Sequence, residues 1–296
     1  PRSSLDRSAA ASDVYKRQEK VWSIAEELEI PCLIVLNLLD RERASLERSL
    51  ESLREYLGRS VVPIQIPIGT EKDFIGCVDL VAMKATTFSP DGSGVGTPCD
   101  VPAELLDEAT ASRESLIEMV AEADDALMEK FFEDGTLGQE DLESGLRSGT
   151  HAKRIVPLVC ASAHSNIGIQ PLLDTILAYL PSPESHPLPA INGENGEPVS
   201  YDATNGAPCS AFVWKTIADP FAGRITLFRV ASGTLKSDSS IYNLTQDTTE
   251  RLGAIGTMQG KNQESVPEIR AGDLGSVAKL KDTQTSDTLA DKTSTK

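Results

Sequence analysis

Two short apolar runs, each ending in a polar loop, constrain this chain more than any other feature. The first, "CLIVLN" (Cys32–Asn37), follows a stretch from Glu19 in which Val21, Trp22, Ile24, Ala25 and Leu28 recur at helix spacing. Pro31 stops that helix, having no N–H to continue it. The second, "RIVPLVCAS" (Arg154–Ser162), leads into a turn and an amphipathic helix within Asn166–Pro183 that ends before Pro181. Strands apolar on both faces belong in a parallel sheet covered by helices. Between the runs, Arg41–Leu57 carries Leu46, Leu50, Leu53 and Leu57 on one helical stripe, with Gly58 at the C-terminal cap position. "VVPIQIPI" (Val61–Ile68) reads as extended. Strand and helix alternating in this way imply an α/β unit.

The middle of the chain breaks that alternation. Asp73–Phe88 reads as a hairpin or meander, Ser89–Pro98 as a Gly/Ser/Pro loop, and Ala103–Ala123 as a long acidic helix entered at Pro102. Shorter helices are expected near Asp124–Phe132 and Gln139–Gly149. Residues 184–207 are rich in Pro, Gly, Asn and Glu and read as a linker. Beyond them, short alternating segments punctuated by Gly and Pro imply an antiparallel β-barrel. Phe212, Trp214, Phe221, Ile225, Leu227 and Phe228 are its candidate core, and Gly223 and Gly233 its turn or bulge glycines. Residues 1–18 fit nothing that follows and are treated as a non-native leader.

Composition narrows the function. Lys and Arg number 28 against 45 Asp and Glu, a net charge of −17, which repels nucleic acid at long range and argues against a DNA-coating protein. Local basic residues, Lys215, Arg224, Arg229 and Lys236, leave room for an RNA contact. Cys32, Cys77, Cys99, Cys160 and Cys209 are odd in number and scattered, which fits buried thiols rather than a disulfide framework or a metal knuckle. The three histidines, His151, His164 and His186, are too widely spaced for a His-rich metal centre. No apolar run approaches a membrane helix, so no membrane partner is expected.

Asn37 and Asp40 follow the first strand directly. A carboxylate at the carboxyl end of a parallel strand faces the crevice where ligands bind, and it can accept two adjacent N–H donors such as guanine N1 and N2. Taken alone, N-x-x-D reads more readily as an Asn turn with Asp40 capping a helix. Ser162-Ala163 ends the second strand, and its backbone N–H groups can hold a base carbonyl oxygen. Two such loops are more informative than either one.

In these motifs the chain resembles elongation factor G, a translational GTPase family. "EKVWSIAEELEIPCLIVLNLLDR" resembles the segment around its N-K-x-D guanine motif. "RIVPLVCASAHSNIGIQPLLDTILAYLPSP" resembles its S-A motif and following helix. "DPFAGRITLFRVASGTLKS" with "AGDLGSVAKLKDTQTSDTLAD" resembles the next, β-barrel domain. The resemblance implies a partial P-loop GTPase-like parallel sheet over residues 19–183, with an α+β insertion at about 69–152. A translation-factor β-barrel follows over residues 208–296. It implies GTP or GDP as ligand, with Asp40 taking the guanine N1 and N2 hydrogens, Asn37 bracing the base edge, and Ser162 and Ala163 meeting O6. Leu38 stands where the family has Lys, so apolar cover of the purine is kept and an ammonium is lost.

The resemblance also marks what is missing. No G-x-x-x-x-G-K-[ST] phosphate loop occurs; the sole Gly-Lys pair, Gly260-Lys261, is followed by Asn262. "DFIG" (Asp73–Gly76) and "DGSG" (Asp91–Gly94) match D-x-x-G in letters but not in position. His164 is not the family's water-positioning histidine. The family's Mg²⁺ ligands are therefore absent and no catalytic residue is assigned; a truncated GTPase is the expected reading. The implied partner is the ribosome, through small-subunit ribosomal RNA at the barrel and a stalk protein at the acidic helix carrying Glu104, Asp107, Glu108, Glu114, Glu118 and Glu122. A cytoplasmic location is expected. The alternatives are a ribosomal-protection or peptide-release paralogue, which Leu38 leaves open, and a non-catalytic ribosome-binding adaptor.

Overall fold

The chain enters its first sheet through helix α1 (residues 17–27), which takes in Arg17 and Gln18 ahead of Glu19, and strand β1 (Ile34–Leu36). The computed structural model describes residues 17–185, 187–190, 196–220, 223–260 and 262–292. Residues 1–16 of the expected leader, His186, Phe221 and Lys261 lie outside the described residues. Two units divide the chain, the first ending at Leu180 and the second starting at Pro181.

In the first unit the 41–57 segment is helical only as α2 (Leu46–Leu57). Residues 41–44 form a turn closed by the Ala44 N–H on the Arg41 carbonyl, and Ser45 caps the helix by accepting from the Arg48 N–H. The start expected at Arg41 is thus five residues early, because the Ser45 cap outcompetes the apolar pattern. The apolar run at 61–68 is two strands in two sheets, β2 (Val61–Pro63) and β3 (Gln65–Ile68). An antiparallel meander follows in the order β3, β4 (Gly76–Asp79), β5 (Lys84–Phe88) and β6 (Gly96–Cys99). Strand β6 takes up the last three residues of the span expected to be loop, and Cys99. It is an edge strand, where Pro98 costs no ladder hydrogen bond to a further neighbour.

Helices α3 (Leu106–Glu122), α4 (Asp125–Asp134) and α5 (Gln139–His151) cover this meander. Leu116, Ile117, Val120, Leu142 and Leu146 pack with Ile66, Val78 and Leu80 in one core. The Arg113 guanidinium of α3 donates to the carbonyls of Leu80 and Val81, tying the helix to the β4–β5 turn. The helix expected from Ala103 begins as a 3-10 turn over Ala103–Leu105, which carries Glu104; Asp107, Glu108, Glu114, Glu118 and Glu122 lie on α3, and all six acids are exposed. Strand β7 (Val156–Cys160) then returns, fully buried, and inserts parallel between β1 and β2. Helix α6 (Ile169–Tyr179) closes the unit.

β1 departs from expectation. It is the edge of this three-stranded sheet, and Val35 is exposed rather than covered on both faces. A groove runs beside it between α1 and α2, lined by Trp22, Val35, Leu53 and Tyr56. Val21 and Ile24 of α1, and Leu28 in the turn after it, are exposed as well.

The second unit is an eight-stranded antiparallel sheet with a separate strand pair. The strands are β8 (Ser210–Asp219), β9 (Gly223–Ser232), β10 (Thr234–Lys236), β11 (Ser240–Asn243), β12 (Thr248–Arg251), β13 (Ile255–Gln259), β14 (Asn262–Val266), β15 (Glu268–Arg270), β16 (Leu274–Ala278) and β17 (Thr288–Ala290). The large sheet runs β12-β11-β17-β8-β9-β16-β13-β14, and β10 pairs with β15. Val213, Phe228, Val230, Leu235, Ile241, Leu252, Ile255, Ile269, Val277 and Leu289 converge on one core, so the sheet curls around it. Buried Glu250 holds the 281–283 turn by accepting from the N–H groups of Lys281, Asp282 and Thr283. Arg224 is engaged on the Leu280 and Lys281 carbonyls, which removes it from the free basic residues expected here. Gly233 (φ +70°) stands where a Cβ would lie 2.6 Å from the Ala207 carbonyl oxygen, so it is a close-approach glycine as well as a turn glycine.

The candidate core of this unit holds in part. Phe228, Ile225 and Leu227 are buried, but Phe212 and Trp214 are 40% and 43% exposed. Val213 points inward, so Phe212 points out by strand alternation. The register shift between Val213 and Lys215 places Trp214 at a bulge. Phe228→Ala is expected to destabilise the second unit by about 3–5 kcal/mol, whereas Phe212→Ala stays within about 0.5 kcal/mol. Urea unfolding of the two variants beside the parent checks the assignment of faces.

Candidate functional site

The ends of β1 and β7 lie side by side because the two strands pair in parallel, Leu36 opposite Cys160. The ladder continues past both strands: the Ala161 N–H donates to the Leu36 carbonyl at 2.9 Å, and the Leu39 N–H to the Ala161 carbonyl at 3.3 Å. The two polar loops emerge from one point of the sheet. Asn37 joins them. Its Oδ1 accepts from the Leu38 N–H at 2.8 Å and from the Ala163 N–H at 2.9 Å, the latter from a residue 126 positions away.

Asp40 lies beside the second loop. The Ser165 hydroxyl donates to Asp40 Oδ2 at 3.0 Å. Asp40 Oδ1 is buried without a hydrogen-bond partner. Burial pushes the Asp40 carboxyl up, but the Ser162 and Ser165 hydroxyls beside it outweigh that and hold it below the usual carboxylate range. It is therefore an ionised acceptor near neutral pH with an unsatisfied oxygen. Oδ2 is engaged by Ser165, and Oδ1 is enclosed by the surrounding protein.

The second loop is short and closed. Ser162 and Ile167 exchange two backbone hydrogen bonds, at 2.9 and 3.0 Å, across the Ala163–Asn166 turn. Ala163 and His164 sit exposed at its tip. Gly168 (φ +77°) lets the chain turn from this loop into α6; a Cβ there would lie 2.5 Å from the Cys160 carbonyl oxygen. Beneath the loops, Leu39, Phe74, Cys77, Phe88, Cys160 and Ile167 form a buried cluster. Burial pushes the Cys77 thiol up to about 12 and raises that of Cys160 as well, so both are protonated packing groups.

All five site residues expected from sequence thus fall in one place, with two distinctions. Leu38 is 43% exposed and held at φ +63°, a conformation that costs a branched side chain. Ser162 contributes its hydroxyl beside Asp40 as well as its backbone. Two further residues were not singled out from the sequence. Ser165 donates to Asp40, and Asn166 (φ +55°) donates from Nδ2 to the Gly92 carbonyl at 3.2 Å. The only sequence signal for them is a pair of small polar residues directly after Ser162–His164; their partners lie far away in the chain. Among the described residues no group of three or more His, Cys, Asp or Glu can hold a metal ion. No described helix is long and apolar enough to cross a membrane.

Fold and site together define an α/β unit, with two polar loops meeting at the end of its parallel sheet, followed by a β-rich unit. Residues 8–182 match the family described as elongation factor Tu GTP binding domain, and residues 208–292 match elongation factor G domain 2. The chain therefore belongs to the elongation factor G-like translational GTPases. A crystal structure of a protein from Thermus thermophilus is similar, with a TM-score of 0.77 and 27% identity over 94% of this chain. The chain spans 38% of the length of that protein.

The Asn37 tether is open to direct measurement. Asn37→Ala removes the acceptor shared by two amides, and a hydrogen bond of this exposed kind contributes about 0.5–1.5 kcal/mol. The Ala163 amide is expected to exchange roughly threefold to tenfold faster in Asn37→Ala, with the β7 amides unchanged, as read by NMR.

Proposed function

We propose that residues 37–40 and 162–165 form the base-recognition part of a guanine-nucleotide site in an elongation factor G-like protein. The intact protein uses GTP to promote movement of tRNA and mRNA on the ribosome. The observation that carries this reading is the Asn37 Oδ1 to Ala163 N–H bond, which brings the Asp40 carboxylate and the exposed loop tip to one place. In this reading Asp40 takes the guanine N1 and N2 hydrogens, Asn37 braces the base edge, and backbone groups at Ser162 and Ala163 meet O6. Leu38, exposed beside them, covers the purine face with a branched apolar side chain.

The residues present do not fit Mg²⁺ or the nucleotide phosphates. The sequence has no phosphate-loop motif, and the described residues hold no acidic cluster able to ligate a metal. No hydrolytic step is assigned to them. For the ribosome, the exposed acidic face of α3 suits a basic protein partner such as a stalk component. Exposed Lys215, with Phe212 and Trp214 on the same strand β8, and exposed Lys236 on β10 suit ribosomal RNA at the second unit.

Calorimetric titration with GDP, ADP and XDP tests the base assignment. The parent chain is expected to bind GDP in preference to ADP. Asp40→Asn is expected to lose GDP affinity by about tenfold or more and to gain XDP, because xanthine presents an acceptor at C2 that the Asn amide can meet. Leu38→Lys is expected to bind GDP more tightly than the parent. Equal affinity of the parent for GDP and ADP would sink the reading.

A further inference from the structure

A loop of the inserted meander reaches back onto the base-recognition loop. Between β5 and β6 the chain runs Asp91-Gly92-Ser93-Gly94-Val95, with Gly92 and Gly94 at φ +72° and +73°. Only glycine takes up that backbone at little cost. Asp91 Oδ1 accepts from the Ser93 N–H at 2.9 Å and gives the loop its turn. At its inner side, the Gly92 carbonyl accepts from Asn166 Nδ2. Gly94 is buried against the same amide: a Cβ there would lie 2.3 Å from Asn166 Nδ2.

Asn166 is well placed to pass this contact on. Ser165, immediately before it, donates to Asp40 Oδ2. Ile167, immediately after it, is bound twice to Ser162. The loop between is too short to let one residue move alone. The cluster below, with Phe74, Cys77 and Phe88 from the meander packed against Leu39 and Ile167, ties the same two regions at a second level.

We propose that the 91–95 loop is a latch on the base-recognition loop, and that Asn166 and Gly94 are positioning residues for guanine. Through Asn166 the latch sets Ser165, and through Ser165 it sets the Asp40 carboxylate. This rests on the reading of Asp40 as the acceptor for guanine N1 and N2. The linkage is reciprocal, so whatever displaces the loop weakens guanine binding, and guanine binding holds the loop down.

Two variants of the full chain test the latch. Asn166→Asp keeps the shape and the tolerance of positive φ but sets a carboxylate against the Gly92 carbonyl. Gly94→Ala drives a methyl group into the Asn166 amide. Circular dichroism establishes that each variant folds. The first readout is hydrogen exchange of the 162–167 amides without nucleotide, expected to speed up by roughly threefold to tenfold in both variants. The second is the ratio of GDP to IDP affinity. Inosine lacks the C2 amino group and so forgoes one of the two Asp40 contacts. A latch that positions Asp40 therefore costs GDP more than IDP, and the ratio falls by about threefold to tenfold, whereas general loosening weakens both alike.

Unchanged exchange in both variants overturns the latch, as does a parallel fall in GDP and IDP affinity. If the parent binds neither nucleotide, the guanine reading fails, and the exchange measurement alone decides whether the latch exists.

Discussion

The parallel ladder between β1 and β7 is the constraint on which the first unit depends. Ile34 faces Leu158, Val35 faces Val159 and Leu36 faces Cys160. Parallel neighbours cannot be joined by a tight turn, so the chain between them must leave the sheet and return. The entropy of closing such an excursion grows slowly, by about 0.6 kcal/mol per doubling of length. A long insertion is therefore tolerated, provided it builds its own core. This one does, and shares that core with the sheet: Ile155 and Val159 pack with Leu116, Leu142 and Leu146. Buried Gln65 completes the join, its Oε1 accepting the Cys160 N–H at 3.1 Å just where β3 turns away from the parallel sheet.

Much of this was legible in the sequence because burial leaves a coarse imprint. β7 is apolar throughout and buried throughout, and the leucine stripe at Leu46, Leu50, Leu53 and Leu57 is the side of α2 that meets the sheet. Asn37, Asp40 and Ser162 were legible as polar residues at the ends of such runs. The misreadings share another cause. Period alone gives two faces for a strand without saying which is inner, and a bulge changes the alternation partway, as at Trp214. Edge position is invisible in composition as well, which is why β1 reads as fully covered while Val35 is exposed. Ser165 and Asn166 escape because their roles lie in contacts made 125 and 74 residues away.

The net charge of −17 is likewise sharpened by geometry. The acids of α3 stand on its solvent face, and none of them enters the candidate base site. There the Asp40 carboxylate accepts from the Ser165 hydroxyl through one oxygen and leaves the other without a partner. The acidic surface and the candidate base site thus fall on different faces of the unit.

The two loops are held by contacts within the protein itself. Leu38 and Asn166 both sit at positive φ; Asn tolerates it, but for Leu38 it costs of order 1–3 kcal/mol and persists only where the surroundings over-determine it. Here they do. The Leu38 N–H is bound to Asn37 Oδ1, which is itself bound to Ala163, and Leu39 is anchored in the buried cluster. Asn166 is fixed by Gly92 above and by the Ser162–Ile167 bridge at its base. Strain of this kind is useful in a recognition loop. A site already fixed in the bound geometry loses less entropy on binding and discriminates on hydrogen-bond pattern instead of adapting to the wrong base. The inserted meander supplies much of that rigidity, through Phe74, Cys77 and Phe88 below the loops and Gly92 above them, so the geometry of these loops depends on the insertion as much as on the parallel sheet.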